Sequence, residues 1–144
     1  MMDIDGLRRK AAAGNCAAQS VLGALYLDGI DTEVNYAEAF RFLSAAANQG
    51  ASRAIANLAR MFAEGLGTTT DLNRAVELYE RVGKVEFAAA IALGRIYSLG
   101  VDRQPDPVNA LKWYSVAASF EGIVRDCDDL NEAKAYLQNA SRRI

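Results

Sequence analysis

Three copies of one pattern, set 36 and then 35 residues apart, dominate this sequence of 144 residues. The copies begin at Leu22, Leu58 and Leu93, and each reads large apolar, small, variable, large apolar, aromatic, two variable positions and glycine. A fixed period of this length is typical of repeat architectures, in which each unit covers the apolar face of its neighbour. The repeat therefore constrains the fold more than any other feature of the chain.

Each copy predicts a pair of helices. Leu22, Leu25 and Tyr26 are spaced i, i+3 and i+4, which places them on one face of a helix. Residues 39–46 repeat that spacing and predict a second helix. The glycine that closes the first segment predicts a left-handed C-cap, and the small residue beside the first leucine predicts close approach of a neighbouring helix.

Capping residues predict where helices begin. Asn35, with Glu38 three residues later, resembles a capping box. Asp106 precedes a proline, which is favoured at the first helical position. Asp129 with Glu132 predicts the start of the last helix in the same way. Each unit is therefore expected to be helix, short loop and helix.

The pattern resembles the Sel1-like repeats, an α/α-hairpin solenoid family related to the tetratricopeptide repeats. The resemblance is carried by the segments LGALYLDG…AEAFRFLSAAANQG, LARMFAEG…RAVELYERVG and LGRIYSLG…NALKWYSVAA, and it covers roughly residues 15–122. It implies an all-α, right-handed α/α superhelix of about three hairpins, at about residues 15–50, 51–86 and 87–122. The second repeat departs from the pattern at Gly83, which takes the place of an alanine.

Both ends of the chain predict capping helices. Residues 3–13 align with the second helix of a repeat and predict an N-terminal cap. Residues 129–142 carry Leu130, Ala133 and Leu137 on one stripe and predict a C-terminal capping helix, with a detachable tail helix as the alternative. We expect one domain over residues 1–144.

Composition excludes several classes of function. Sixteen basic and 18 acidic residues give a net charge of -2, without the positive field of a nucleic-acid binder or a protein that binds anionic membranes. The chain has no histidine, which removes the commonest general base and metal ligand. No apolar stretch is long enough for a membrane span and no secretory signal is evident, so we expect a cytoplasmic protein.

No local motif has the residue spacing of a disulfide framework, a calcium site or a phosphate-binding loop. Cys16 and Cys127 are expected to be free thiols, and a disulfide would require the ends of the fold to meet. The acidic run at residues 126–129 lacks the spaced oxygen ligands and glycine of a calcium loop. Residues 65–70 lack the lysine of a phosphate-binding loop. We predict no catalytic residue, no metal and no cofactor.

The resemblance implies a non-enzymatic module for protein–protein interaction, an adaptor, scaffold or regulator that binds a partner protein or peptide in a concave groove lined by the first helices. The alternative is an inhibitor or immunity-type protein that neutralises a dedicated toxin or enzyme. We expect a monomer or weak dimer with no nucleic-acid or membrane partner. The predicted partner-binding residues are Ser20, Ala24, Asp28, Arg53, Asn57, Arg60, Glu64, Arg95 and Ser98.

Two arginines on the predicted groove face suggest the partner's chemistry. Arg60 and Arg95 occupy the same variable position of successive repeats. A guanidinium group binds a carboxylate through two parallel hydrogen bonds, so an acidic segment or a C-terminal carboxylate is the expected partner. The alternative is that both arginines are solvated, or paired with Glu64. Ala56 and Ile91 are expected on the same face.

Overall fold

The computed structural model describes residues 3–142, and α-helices are the only regular elements in that part of the chain. The helices are α1 (Ile4–Ala12), α2 (Cys16–Asp28), α3 (Tyr36–Asn48), α4 (Ser52–Glu64), α5 (Leu72–Val82), α6 (Phe87–Leu99), α7 (Pro107–Ala118) and α8 (Asp128–Arg142). The predicted all-α class of helical hairpins is confirmed. Residues 1, 2, 143 and 144, which the predicted domain includes, lie outside the described residues.

The chain divides into two compact units, unit 1 (Met1–Leu78) and unit 2 (Tyr79–Ile144), and α5 crosses the boundary between them. The prediction of one domain over residues 1–144 stays a prediction. The seven aromatic side chains at repeat positions are all buried, which follows from their place on the apolar stripe of each helix. They are Tyr26, Phe42, Phe62, Tyr79, Tyr97, Trp113 and Tyr114.

In unit 1, consecutive helices from α1 to α4 pack on one another, and α2 also contacts α4. Leu22, Leu43 and Met61 are fully buried in this core. Gly23 allows the close approach that its size predicts, since a Cβ at that position would lie 2.6 Å from Cγ of Leu43. Helix α1 adds the buried Ala11 to the same core.

In unit 2, α6 packs against α7, and α8 packs against both. Helix α8 buries Leu130 and Ala133. Trp113 on α7 packs against Gly83, where any Cβ would collide with the indole ring. This contact explains why glycine replaces alanine in the second repeat.

One backbone hydrogen bond closes each of the three hairpin loops. The N–H of the residue before each second helix donates to the carbonyl of the repeat's aromatic residue nine positions earlier. These bonds are Asn35 to Tyr26 (2.9 Å), Asp71 to Phe62 (2.9 Å) and Asp106 to Tyr97 (2.8 Å). The first helix of each hairpin ends at a left-handed glycine (Gly29, Gly65 or Gly100), as predicted.

The predicted helix starts are confirmed in two cases and wrong in one. The side chains of Asn35 and Asp106 each accept the N–H three residues later. The reciprocal half of the capping box is missing, because the Glu38 carboxylate accepts from Arg41. The last helix begins at Asp128, one residue before the predicted cap, and the Asp129 carboxylate binds Arg95 instead.

No helix within residues 3–142 combines the length and the apolar character needed to cross a membrane. Both cysteines are free, with Cys16 half-buried and Cys127 exposed.

Candidate partner-binding site

The predicted partner-binding residues lie on first helices in both units. In unit 1 they occupy the adjacent helices α2 and α4, and in unit 2 they occupy α6. All nine side chains are half-buried or exposed. Ala56 and Ile91, expected on the same face, are buried, and Ile91 is only 1% exposed. Neither residue therefore offers an exposed side chain to a partner.

Arg60 holds α2 and α4 together at the surface of unit 1. Its Nη1 donates to Oδ1 of Asp28 on α2 at 2.9 Å, and its Nε donates to Oε2 of Glu64, one turn further along α4, at 3.1 Å. The hydrogen bond to Asp28 is the main reason that the pKa of Arg60 is raised. Three of the predicted residues therefore form one cluster, in which two carboxylates surround one guanidinium.

Arg95 makes the corresponding cluster in unit 2, but its carboxylates come from α8. Nη2 donates to Oδ1 of Asp129 at 2.6 Å, and Nε and Nη2 donate to the two oxygens of Glu132 at 2.9 and 3.0 Å. The Tyr114 hydroxyl donates to Oε2 of the same glutamate at 2.7 Å. Arg95 thus links α6 to α8.

The pKa shifts in the Arg95 cluster follow from these bonds. The hydrogen bonds from Arg95 lower the pKa of Glu132, and the reverse effect raises the pKa of Arg95. Burial, with the hydrogen bond to Glu132 as the second cause, raises the pKa of Tyr114 to about 12. Near neutral pH all three groups therefore keep one protonation state.

A cleft of about 420 Å³ adjoins the Arg95 cluster between α6, α7 and α8, and we name it the α6–α8 cleft. Leu99 lines it with a side chain that is 72% exposed. Tyr136, also in the lining, lies 4.5 Å from Tyr114 between ring centroids. The remaining lining side chains are Arg95, Ser98, Glu132, Ala135 and Asn139.

Sequence reasoning found only Arg95 and Ser98 of this cleft. The sequence holds a signal for the α8 side of the cleft, because Glu132 and Tyr136 share one helix face with Asp129, which binds Arg95 beside the cleft; the three are spaced i, i+3 and i+7. The spacing of Asp129 and Glu132 by itself predicts a helix cap. A cap and an ion-pairing face use the same spacing, and only the position of Arg95 in space distinguishes them.

The other predicted residues stay near the surface of unit 1. Arg53 is exposed on the first turn of α4, and Asn57 is half-buried one turn later. Ser20 and Ala24 are half-buried on α2. Across residues 3–142, no group of three or more potential metal-ligating side chains is assembled.

Comparison with known proteins relates the chain to one family. The model of the Sel1 repeat matches residues 16–50, 52–81 and 87–119. A Sel1 repeat protein from Oxalobacter formigenes, solved by crystallography, is 34% identical, with a TM-score of 0.72 over 96% of this chain and 99% of that one.

A second solved structure is a protective antigen that is present in uropathogenic Escherichia coli strains and displays an SLR fold. It is 26% identical, with a TM-score of 0.74 over 97% of this chain. The match covers 34% of the antigen, so this chain spans about a third of that protein's length.

Proposed function

Because this chain belongs to the Sel1 repeat family, whose repeats mediate protein–protein interaction, we propose that it binds a partner protein or peptide through the exposed faces of its first helices. The observation that carries the proposal is the family match over three successive hairpins. The faces in question are those of α2 and α4 in unit 1 and of α6 in unit 2.

The protonation chemistry supports a binding role without catalysis. A general acid or base works best with a pKa near the working pH. The pKa shifts in this protein move away from neutral pH. The pKa of Glu132 is lowered, and burial raises the pKa values of Tyr97 and Tyr114 to about 12. The chain also contains no histidine.

An acidic segment of the partner stays a prediction, and the structure defines what such a segment must do. Arg60 and Arg95 are 41% and 43% exposed in their side chains, so a partner can reach them. Each already binds two carboxylates of its own unit. An incoming carboxylate would therefore have to compete with those bonds.

The proposal is tested by capture of partners from the native cell on the immobilised chain, with identification by mass spectrometry. Replacing Arg60 and Arg95 together by alanine should abolish capture. The melting temperature should fall only modestly, since the four ion pairs that these two arginines make are partly exposed and contribute about 0–1 kcal/mol each. If capture is undiminished, the predicted site is wrong.

Arg41→Ala is the matched control. Arg41 is an exposed arginine paired with Glu38 at 2.9 Å, but it lies on a second helix, α3. This variant should capture the partner as well as the parent chain does. The identity of the partner also tests the inhibitor alternative, which requires a captured enzyme or toxin whose activity falls when the chain is added.

A further inference from the structure

We propose that the α6–α8 cleft binds a short extended segment of a partner that carries a basic residue at one end and an apolar residue at the other. This inference rests on the proposed function and specifies its chemistry in unit 2. The basic residue would contact the carboxylate of Asp129, and the apolar residue would cover Leu99 and Tyr136.

The charges beside the cleft favour a cation, because Asp129 lies next to the lining and binds Arg95, which is part of it. Asp129 and Glu132 place two negative charges around the single positive charge of Arg95, so this cluster carries a net charge of -1. The surrounding segment adds to it, since residues 121–134 contain three further carboxylates and two basic side chains. One of those two, Lys134, is itself paired with Glu121 at 2.7 Å.

The hydrogen bonds of the cluster show which carboxylate can receive the cation. Glu132 accepts bonds from Arg95 on both oxygens and another from Tyr114, so its acceptor sites are largely used within the chain. Asp129 meets Arg95 through Oδ1, and its side chain is 52% exposed. Glu132 therefore positions Arg95, and Asp129 is the group that a partner's lysine or arginine can reach.

The opposite end of the cleft is apolar. Leu99, at the end of α6, is 72% exposed, and Ala135 and Tyr136 lie across from it on α8. Covering such a leucine removes apolar surface from water and favours binding of an aliphatic side chain. Asn139 lines the same end and has an exposed amide that can bond to a peptide backbone.

The distance between the two ends sets the length of the segment. Asp129 and Asn139 are ten positions apart on α8, which corresponds to roughly 15 Å at the helical rise. An extended chain advances about 3.3 Å per residue, so about four or five residues reach from Asp129, beside the cleft, to Asn139 in its lining. An acidic segment would meet Asp129 and Glu132 here and be repelled, so in this cleft the proposal replaces the acidic segment that the sequence predicts for Arg60 and Arg95.

The test uses two acetylated and amidated hexapeptides, Arg-Gly-Ser-Ala-Leu-Gly and Glu-Gly-Ser-Ala-Leu-Gly, titrated into the ¹⁵N-labelled full chain. The arginine peptide should shift the backbone amide signals of the cleft residues on α6 and α8. The glutamate peptide should bind at least tenfold more weakly. Higher salt should weaken the arginine peptide severalfold, because screening shortens the range of the attraction.

Two variants locate the contacts. Asp129→Asn and Leu99→Ser should each lower the affinity for the arginine peptide threefold or more. Their melting temperatures should stay close to that of the parent, since both side chains are mainly exposed. Glu38→Gln is the matched control, because Glu38 is a carboxylate paired with Arg41 at 2.9 Å on α3 of unit 1 and lies outside the predicted partner-binding residues. It should leave the affinity unchanged.

The proposal is overturned if neither peptide binds, if the glutamate peptide binds as well as the arginine peptide, or if Asp129→Asn has no effect. These outcomes are separate from failure of the proposed function. If the peptides fail while the double arginine variant still loses its captured partner, only the assignment of the cleft is wrong. The proposed function fails when the parent chain itself captures no partner.

Discussion

At the scale of single residues, the repeats are held together by small residues facing large ones. Gly23 faces Leu43, Gly83 faces Trp113 and Gly94 faces Tyr114. The sequence predicts the small position, because it recurs beside an apolar one in every copy. It does not predict the large partner, which comes from another helix and depends on how two helix surfaces meet.

Gly83→Ala should destabilise the protein by about 1–3 kcal/mol, because the added methyl group meets the indole ring of Trp113 in a packed core. Chemical denaturation of the purified variant measures this cost. The same substitution in a Trp113→Phe background should cost less, since the smaller ring leaves room for the methyl group. Equal costs in both backgrounds would contradict the contact.

Trp113→Ala should cost roughly 3–5 kcal/mol, the range for removal of a large buried aromatic side chain. Trp113 is 2% exposed. Urea denaturation of the Trp113→Ala variant and of the parent chain gives the difference in their free energies of unfolding. A loss below about 1 kcal/mol would show that the surrounding residues close over the cavity.

The two thiols should react at different rates in the folded protein. Cys127 is exposed, whereas Cys16 is half-buried with its Sγ 3.8 Å from the Ala46 carbonyl. A colorimetric thiol reagent should therefore modify Cys127 first and Cys16 more slowly, and both at once after denaturation. Cys127→Ser removes the fast phase if the assignment is right. Absence of free thiols in the denatured chain would contradict the structure.

At the scale of helices, capping residues and periodicity predict where most elements begin and end. The α2, α4 and α6 helices stop at the predicted glycines, and α3 and α7 start at the predicted caps. Side-chain contacts between different helices are harder to predict from the sequence. Glu132 lies 37 positions from Arg95, and its role depends on the approach of α8 to α6.

The bond between Glu132 and Arg95 should make stability depend on pH. Because the folded state lowers the pKa of Glu132, its carboxylate stabilises the fold above the ordinary value near 4.5. This contribution is lost as pH falls below that value and through the folded one. Glu132→Gln should therefore lower the melting temperature at pH 7 and reduce the fall between pH 7 and pH 3. The side chain is 39% exposed, so an effect of about 1 kcal/mol or less is expected. An unchanged fall would contradict the assignment.

At the scale of the whole chain, the period of 35–36 residues was sufficient to predict the fold class, the hairpins and the family. It could not identify the α6–α8 cleft, because α8 lies outside the repeat register and its Tyr136 and Asn139 have no equivalent in the three copies. The fold could thus be predicted from the residues that the three repeats share. The candidate cleft depends on residues of α8, which the repeats do not share.

Removal of residues 129–144 should expose the apolar surface of unit 2 that Leu130 and Ala133 cover, and it should lower the melting temperature and promote aggregation. Light scattering coupled to size exclusion measures the association, and calorimetry measures the melting. A truncated chain that stays monomeric with an unchanged melting temperature would favour the detachable tail helix.

The loop closures of the three hairpins bear on how such a chain can evolve. Each bond joins two residues of the same hairpin, nine positions apart, as with Asn35 and Tyr26. A duplication of one hairpin would therefore copy a finished loop together with its two helices. An insertion within those nine positions would disrupt this backbone hydrogen bond, and the longer loop would need a different one. Arrays of this kind are thus free to change in length by whole hairpins, while the loops within them are constrained to one length.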